Sequence, residues 1–124
     1  MALTVINGPT IAAGESLSDA VDVGGDLVRI TMPAAWTDAD LTFQISTDGA
    51  FFNDLYGYEG NEIDIPVIPG SAVLVPSGVM SGINFIKFRS GKSQNPRPQA
   101  EARVFAVTVD KGGPVGILEE PPPA

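Results

Sequence analysis

Apolar and polar positions alternate with a period of two along much of this 124-residue chain, which predicts strands rather than helices. Residues 41–46 (LTFQIS) give the cleanest case, with Leu41, Phe43 and Ile45 on one face and Thr42, Gln44 and Ser46 on the other. Thr47-Asp48-Gly49 follows as a hairpin turn, and Phe51 to Tyr56 returns as the partner strand. Residues 27–32 (LVRITM) also alternate. Arg29 marks its own face, shared with Leu27 and Thr31, as the wet one, so Val28, Ile30 and Met32 are expected inside.

The remaining runs are shorter or more interrupted. Residues 3–12 read as two strands joined by Asn7-Gly8-Pro9, and residues 20–23 as a short edge strand before a turn at Gly24-Gly25-Asp26. Pro33 to Asp40 breaks the β pattern and suits a short helical turn. Residues 62–68 alternate with Ile63, Ile65 and Val67 inward, at an edge or bulge because Pro66 cannot donate to a ladder. Residues 72–75 (AVLV) read as a buried run, residues 83–89 and 100–109 as strands, and Ser90 to Gln99 as a polar loop. The expected core is Val28, Ile30, Leu41, Phe43, Ile45, Ile63, Ile65, Ile86, Phe88, Phe105 and Val107.

Seven to nine short strands punctuated by turns indicate an all-β, antiparallel sandwich or jelly-roll-like domain over residues 1–110. Residues 111–124 lack periodicity and carry three closing prolines, which predicts an extended Gly/Pro-rich C-terminal arm. In that arm Val115, Ile117 and Leu118 are apolar but too few to form a core, and they are the candidate partner-binding residues.

Composition narrows the chemistry. There is no histidine and no cysteine, which removes the usual general base, thiol catalysis, disulfides and the commonest metal ligands. Ser-based catalysis lacks a histidine partner. Asp38-x-Asp40 and Glu62-x-Asp64 have the i, i+2 spacing that shares a face in a strand, but no calcium-loop spacing follows them. Gly112-Gly113-Pro114-Val115-Gly116 has no following lysine and is not a phosphate loop. No catalytic residue, metal or cofactor is expected, and the chain reads as a non-enzyme.

The net charge is −8, which disfavours direct nucleic-acid binding. No apolar run approaches the ~20 residues of a membrane helix. The N-terminus has no basic residue ahead of its apolar stretch, so no secretion signal is expected.

The charges are segregated. All seven charged residues from Asp38 to Asp64 are acidic, whereas five of the seven basic ones lie between Lys87 and Arg103. Two readings follow. Lys87, Arg89, Lys92 and Arg97 form a basic patch for a partner, or these strands neutralise the acidic loops within one subunit. Trp36, Phe51, Phe52, Tyr56 and Tyr58 could offer a sugar platform. Trp36 is the natural plug for one end of the sandwich, and Phe52 or Tyr56 for the core. Trp36 and Tyr58 are retained as possible glycan contacts.

Met32-Pro33-Ala34-Ala35-Trp36-Thr37, Leu41-Thr42-Phe43-Gln44, Ser46, Asp48-Gly49 and Asp54-Leu55-Tyr56 resemble a family of small virion structural proteins of tailed bacteriophages. Leu17, Ala20-Val21-Asp22, Phe85-Ile86-Lys87 and Arg89-Ser90-Gly91 extend the resemblance across most of residues 11–109. It implies a β-sandwich of the head-decoration, cement or head-fibre-base type. By that resemblance the protein would be made in the host cytoplasm and sit on the virion capsid surface. It would act as a homo-oligomer, a trimer, in contact with the major capsid protein or other virion proteins. A tail- or fibre-associated carbohydrate- or receptor-binding module is the alternative.

Overall fold

A computed structural model describes residues 2–76 and 78–112. Those residues form eight strands and no helix: β1 (Leu3–Ile11), β2 (Val21–Thr31), β3 (Leu41–Ser46), β4 (Asn53–Asp54), β5 (Ala72–Leu74), β6 (Ile83–Lys92), β7 (Asn95–Pro96) and β8 (Arg103–Asp110). All pairings are antiparallel, in the order β1-β8-β2-β6-β3-β4, with β5 added to β2 and β7 to β6. The expected all-β, sandwich-like class is correct. The anticipated C-terminal arm, with Val115, Ile117 and Leu118, lies almost wholly outside the described residues.

The sandwich arises because β2 serves both layers. Its first part, Val21 to Gly25, pairs with β6, and its second part, Asp26 to Thr31, pairs with β8. The crossing is at Gly24-Gly25, which the sequence suggested as a turn. Gly24 has φ +51°, a conformation side chains resist. A Cβ on Gly25 would lie 2.6 Å from the Asp110 carbonyl oxygen and 3.0 Å from a Val109 methyl. The two glycines therefore let one strand bend sharply and pass close under β8.

A β-bulge in the second half of β2 corrects the expected inward face. Leu27 pairs with Val109 and Arg29 with Thr108, which leaves Val28 as the extra residue. The parity flips there, so Leu27 and Ile30 are both buried while Val28 is only half-buried.

The interior is closed by a chain of edge-to-face aromatic contacts. Trp36 meets Phe105 at 5.6 Å between ring centroids, Phe105 meets Phe88 at 5.0 Å, and Phe88 meets Phe43 at 5.2 Å. Phe105 belongs to the β1-β8-β2-β5 layer, and Phe88 and Phe43 to the β2-β6-β3-β4 layer. These rings thus join the two layers, each pair adding ~0.5–1.5 kcal/mol beyond its burial. Ile30, Leu41, Phe43, Ile86, Phe88, Phe105 and Val107 are buried as expected. Ile45, Ile63 and Ile65 are half-buried against that core. Ile11, Val23, Met32, Met80 and Ile83 complete it.

Other sequence expectations are corrected. Residues 3–11 form one strand with an irregularity between Asn7 and Thr10, not two strands. Pro33 to Asp40 forms bends and no helical turn, because side chains hold it in place. Gln99, fully buried, accepts from Thr37 N–H through Oε1 (2.8 Å) and donates through Nε2 to the Thr37 carbonyl (2.9 Å) and Ser90 Oγ (2.7 Å). Arg103 Nε donates to the same Gln99 Oε1 (2.9 Å). Residues 62–68 keep their inward isoleucines but contribute only isolated bridges, Leu41 with Ile65 and Tyr56 with Glu62. Of residues 72–75 only Val75 is buried. Ser90 to Gln99 is largely a tight hairpin, in which Gly91 pairs with Pro96 and Lys92 with Asn95.

Two substitutions test this account. Phe43→Ala should lower stability by ~3–5 kcal/mol in denaturant melts, as for a fully buried aromatic. Gly25→Ala should cost about 1–3 kcal/mol because its methyl has no space beside Asp110. A Gly25→Ala protein as stable as the parent would show that the crossing tolerates a side chain.

Candidate functional site

The segregated charges meet within the subunit, at the end of the sandwich where β3 lies beside β6. Thr42 and Arg89 are cross-strand partners there. The Arg89 guanidinium, 7% exposed, donates to Asp54 through Nη2 and to Glu62 Oε2 (3.3 Å) through Nη1. Nη1 also donates to Thr42 Oγ1 (3.3 Å). Glu62 in turn accepts from Ser93 N–H (3.2 Å). Arg89 therefore does not belong to a surface patch. It is the cation that holds the β4 end and the 57–63 loop against β6.

The other members of the expected basic patch have different neighbours, although Lys92 and Arg97 border one pocket. Lys92 Nζ is 3.3 Å from Asp64 Oδ2, an intrachain pair with an exposed lysine. Lys87 lies 4.5 Å above the Phe52 ring, a cation–π contact. Arg97 is exposed and borders a polar pocket of about 320 Å³ with Asp38, Asp40, Lys92 and Asn95. The four do not form one basic surface. The intrasubunit reading of the charge map holds for Arg89 and Lys92.

One carboxyl group in this region is perturbed by its neighbours. A side-chain hydrogen bond with Asp64 holds the Asp40 carboxyl above the usual range; burial adds to this, and Lys92 opposes it. Asp64 Oδ1 is buried and has no hydrogen-bond partner among the described residues. Asp54 moves the opposite way. Its hydrogen bond from Arg89 holds it below the usual range, with burial opposing. Among the described residues no group of three or more acidic side chains is arranged to hold a metal ion.

The two candidate glycan contacts part company. Trp36 is buried on Phe105 with its indole N–H donating to the Ala39 carbonyl (2.9 Å), so it plugs the core and offers no sugar platform. Tyr58 is 98% exposed. It lines an open groove of about 590 Å³ with Tyr56, Glu59, Asn61, Ile63 and Val79. Tyr56 is exposed there and not in the core.

A third surface was not apparent from the sequence. The outer face of the β1-β8-β2-β5 layer carries a continuous cross-strand row, Val5–Thr108–Arg29–Leu74. Val5 is 62% and Leu74 76% exposed, and Leu3 and Val104 are also exposed nearby. Arg29 Nη2 donates to Thr108 Oγ1 (3.0 Å), so the arginine lies along the sheet. The signal was missed because Leu74 sat in an apolar run that looked buried, and its edge strand presents it outward.

No known protein family, curated protein or solved structure matches the chain.

Arg89→Ala should destabilise the fold toward the lower end of ~3–5 kcal/mol, since Glu62 would keep a nearly buried, unpaired charge while Asp54 is partly hydrated. Chemical denaturation of the variant at neutral pH measures this. The pH dependence has a definite sign. Asp54 contributes stability above its unfolded pKa that is lost as pH falls through its depressed folded value. Asp40 binds its proton more tightly when folded, so its contribution falls as pH rises from the ordinary carboxylate range through its raised value. Asp40→Asn should therefore be more stable relative to the parent at pH 7 than at pH 3, read from paired melts.

Proposed function

We propose that this chain is a non-enzymatic assembly protein of a tailed-phage virion, of the capsid-decoration or head-fibre-base type, working as a homo-oligomer. The observation that carries the reading is the set of exposed apolar side chains on one sheet face, Leu3, Val5 and Val104 toward the β1 edge and Leu74 at the β5 edge, in a chain of net charge −8. Exposed apolar side chains gathered on one sheet face suit a contact surface. The acidic remainder keeps free copies soluble before assembly. The rigid sandwich and the Arg89 cluster supply a fixed platform, as a lattice component requires. The resemblance of residues 11–109 to phage virion proteins gives the setting.

Purified virions of the phage or prophage encoding the chain test the proposal by mass spectrometry and electron microscopy. The expected outcome is many copies per particle, at repeated positions on the head. Replacing Leu74 with Glu should reduce occupancy at least about tenfold, as a buried charge in an apolar contact costs more than 1.4 kcal/mol. Virions lacking the chain would end the reading.

The groove at Tyr56 and Tyr58 supports a second reading, a carbohydrate-binding module. Two exposed tyrosines beside Glu59 and Asn61 combine ring faces with hydrogen-bonding groups, the chemistry that sugars use. Glycan-array retention that Tyr58→Ala removes, with the fold intact, would favour it over the capsid reading.

A further inference from the structure

We propose that the open edge of β1 pairs antiparallel with the same edge of a second copy, forming a two-fold dimer whose central rung is Val5 against Val5 of the other copy. This inference is independent of the virion assignment.

The backbone register identifies the groups on offer. Lys111 N–H donates to the Ala2 carbonyl (2.9 Å), and Leu3 is opposite Asp110. Antiparallel ladders alternate hydrogen-bonded and non-hydrogen-bonded pairs. Ala2, Thr4 and Ile6 therefore direct their backbone groups toward β8. Leu3, Val5 and Asn7 direct theirs to the side that is open among the described residues. Beyond Asn7 the edge closes: Gly8 and Pro9 are buried, and Thr10 is bonded to Asp19.

That open stretch lacks the devices that usually guard an edge. No charged residue occurs from Ala2 to Ile11, and the strand holds no proline before Pro9. Two copies of charge −8 repel, and an uncharged edge is where they approach with least cost.

Edge lengths select the occupant. Among the described residues the other peripheral strands, β4, β5 and β7, are two, three and two residues long. None can match the Leu3–Asn7 edge, so a head-to-tail ring built on this edge lacks its second half. The edge is complementary to itself. A two-fold axis at Val5 satisfies all three open residues at once, pairing Leu3 with Asn7 on either side and giving about six backbone hydrogen bonds. This makes the unit a dimer rather than the trimer expected from the resemblance.

The chain has no cysteine, so single cysteines report the pairing without interference. Across such a rung the Val5 Cα atoms would be about 5.5 Å apart, within disulfide reach. The parent should sediment as a dimer at tens of micromolar, a magnitude typical of modest interfaces. Val5→Cys should oxidise to a linked dimer, while Leu74→Cys, more exposed but at the opposite edge, should not. Val5→Lys, placing like charges opposite each other, should weaken the dimer at least about tenfold. A chain ending at residue 112 should still dimerise. A monomeric parent at all concentrations would overturn the inference, as would Leu74→Cys linking as readily as Val5→Cys. So would loss of the dimer on removing residues 113–124, which would assign the edge to that segment.

Discussion

Everything in this fold depends on β2 being shared between two layers. A single strand cannot serve both without a sharp bend, and a bend beneath β8 leaves no volume for a side chain at Gly25. Once the bend is made, the two halves of the sheet must face each other. Phe105 is then carried onto Phe88, and the aromatic contacts close the interior. The same bend puts β6 and β8 on opposite layers, although both pair with β2. The core is thus a consequence of one backbone constraint more than of any local propensity.

The polar groups inside the fold obey a second constraint, that buried charge and buried amides must be matched. Arg89 is tied to carboxylates 35 and 27 residues away in sequence. It converts the long acidic stretch from a source of repulsion into a strap across the end of the sandwich. Because that cation is committed internally, Arg89 is not part of the surface left for partners. This shifts the functional argument from the charge map to the outer sheet face and the tyrosine groove.

Strands with uninterrupted alternation were legible in the sequence. β3 and β8 fell where Phe43, Phe105 and Val107 stand at alternate inward positions, and the reversal after β3 was legible in Asp48-Gly49, although the connection runs on to Phe52 as bends and is not a tight turn. What was not legible had physical causes. Gly24-Gly25 has the composition of a turn, and only the volume under β8 distinguishes a bend in a continuous strand. The bulge at Val28 shifts parity without any mark in the sequence. Arg89 and Trp36 are residues that often sit at surfaces, and their burial depends on partners distant in the chain. Gln99 lies in a stretch rich in polar residues, where nothing separates a buried amide from a hydrated one.

The paired hydrogen bonds between Gln99 and Thr37 have a wider meaning. The side-chain amide presents an N–H and a C=O to the Thr37 backbone in the manner of an adjacent peptide unit. Gln99 thus acts as a one-residue surrogate strand. It extends the order of a sheet into a segment that has no strand beside it. The path of the segment from Pro33 to Asp40 is fixed at its middle by this graft of peptide chemistry and at its ends by backbone bonds to the Pro33 and Asp40 carbonyls. A loop anchored in this way behaves as framework, even though no regular element runs through it.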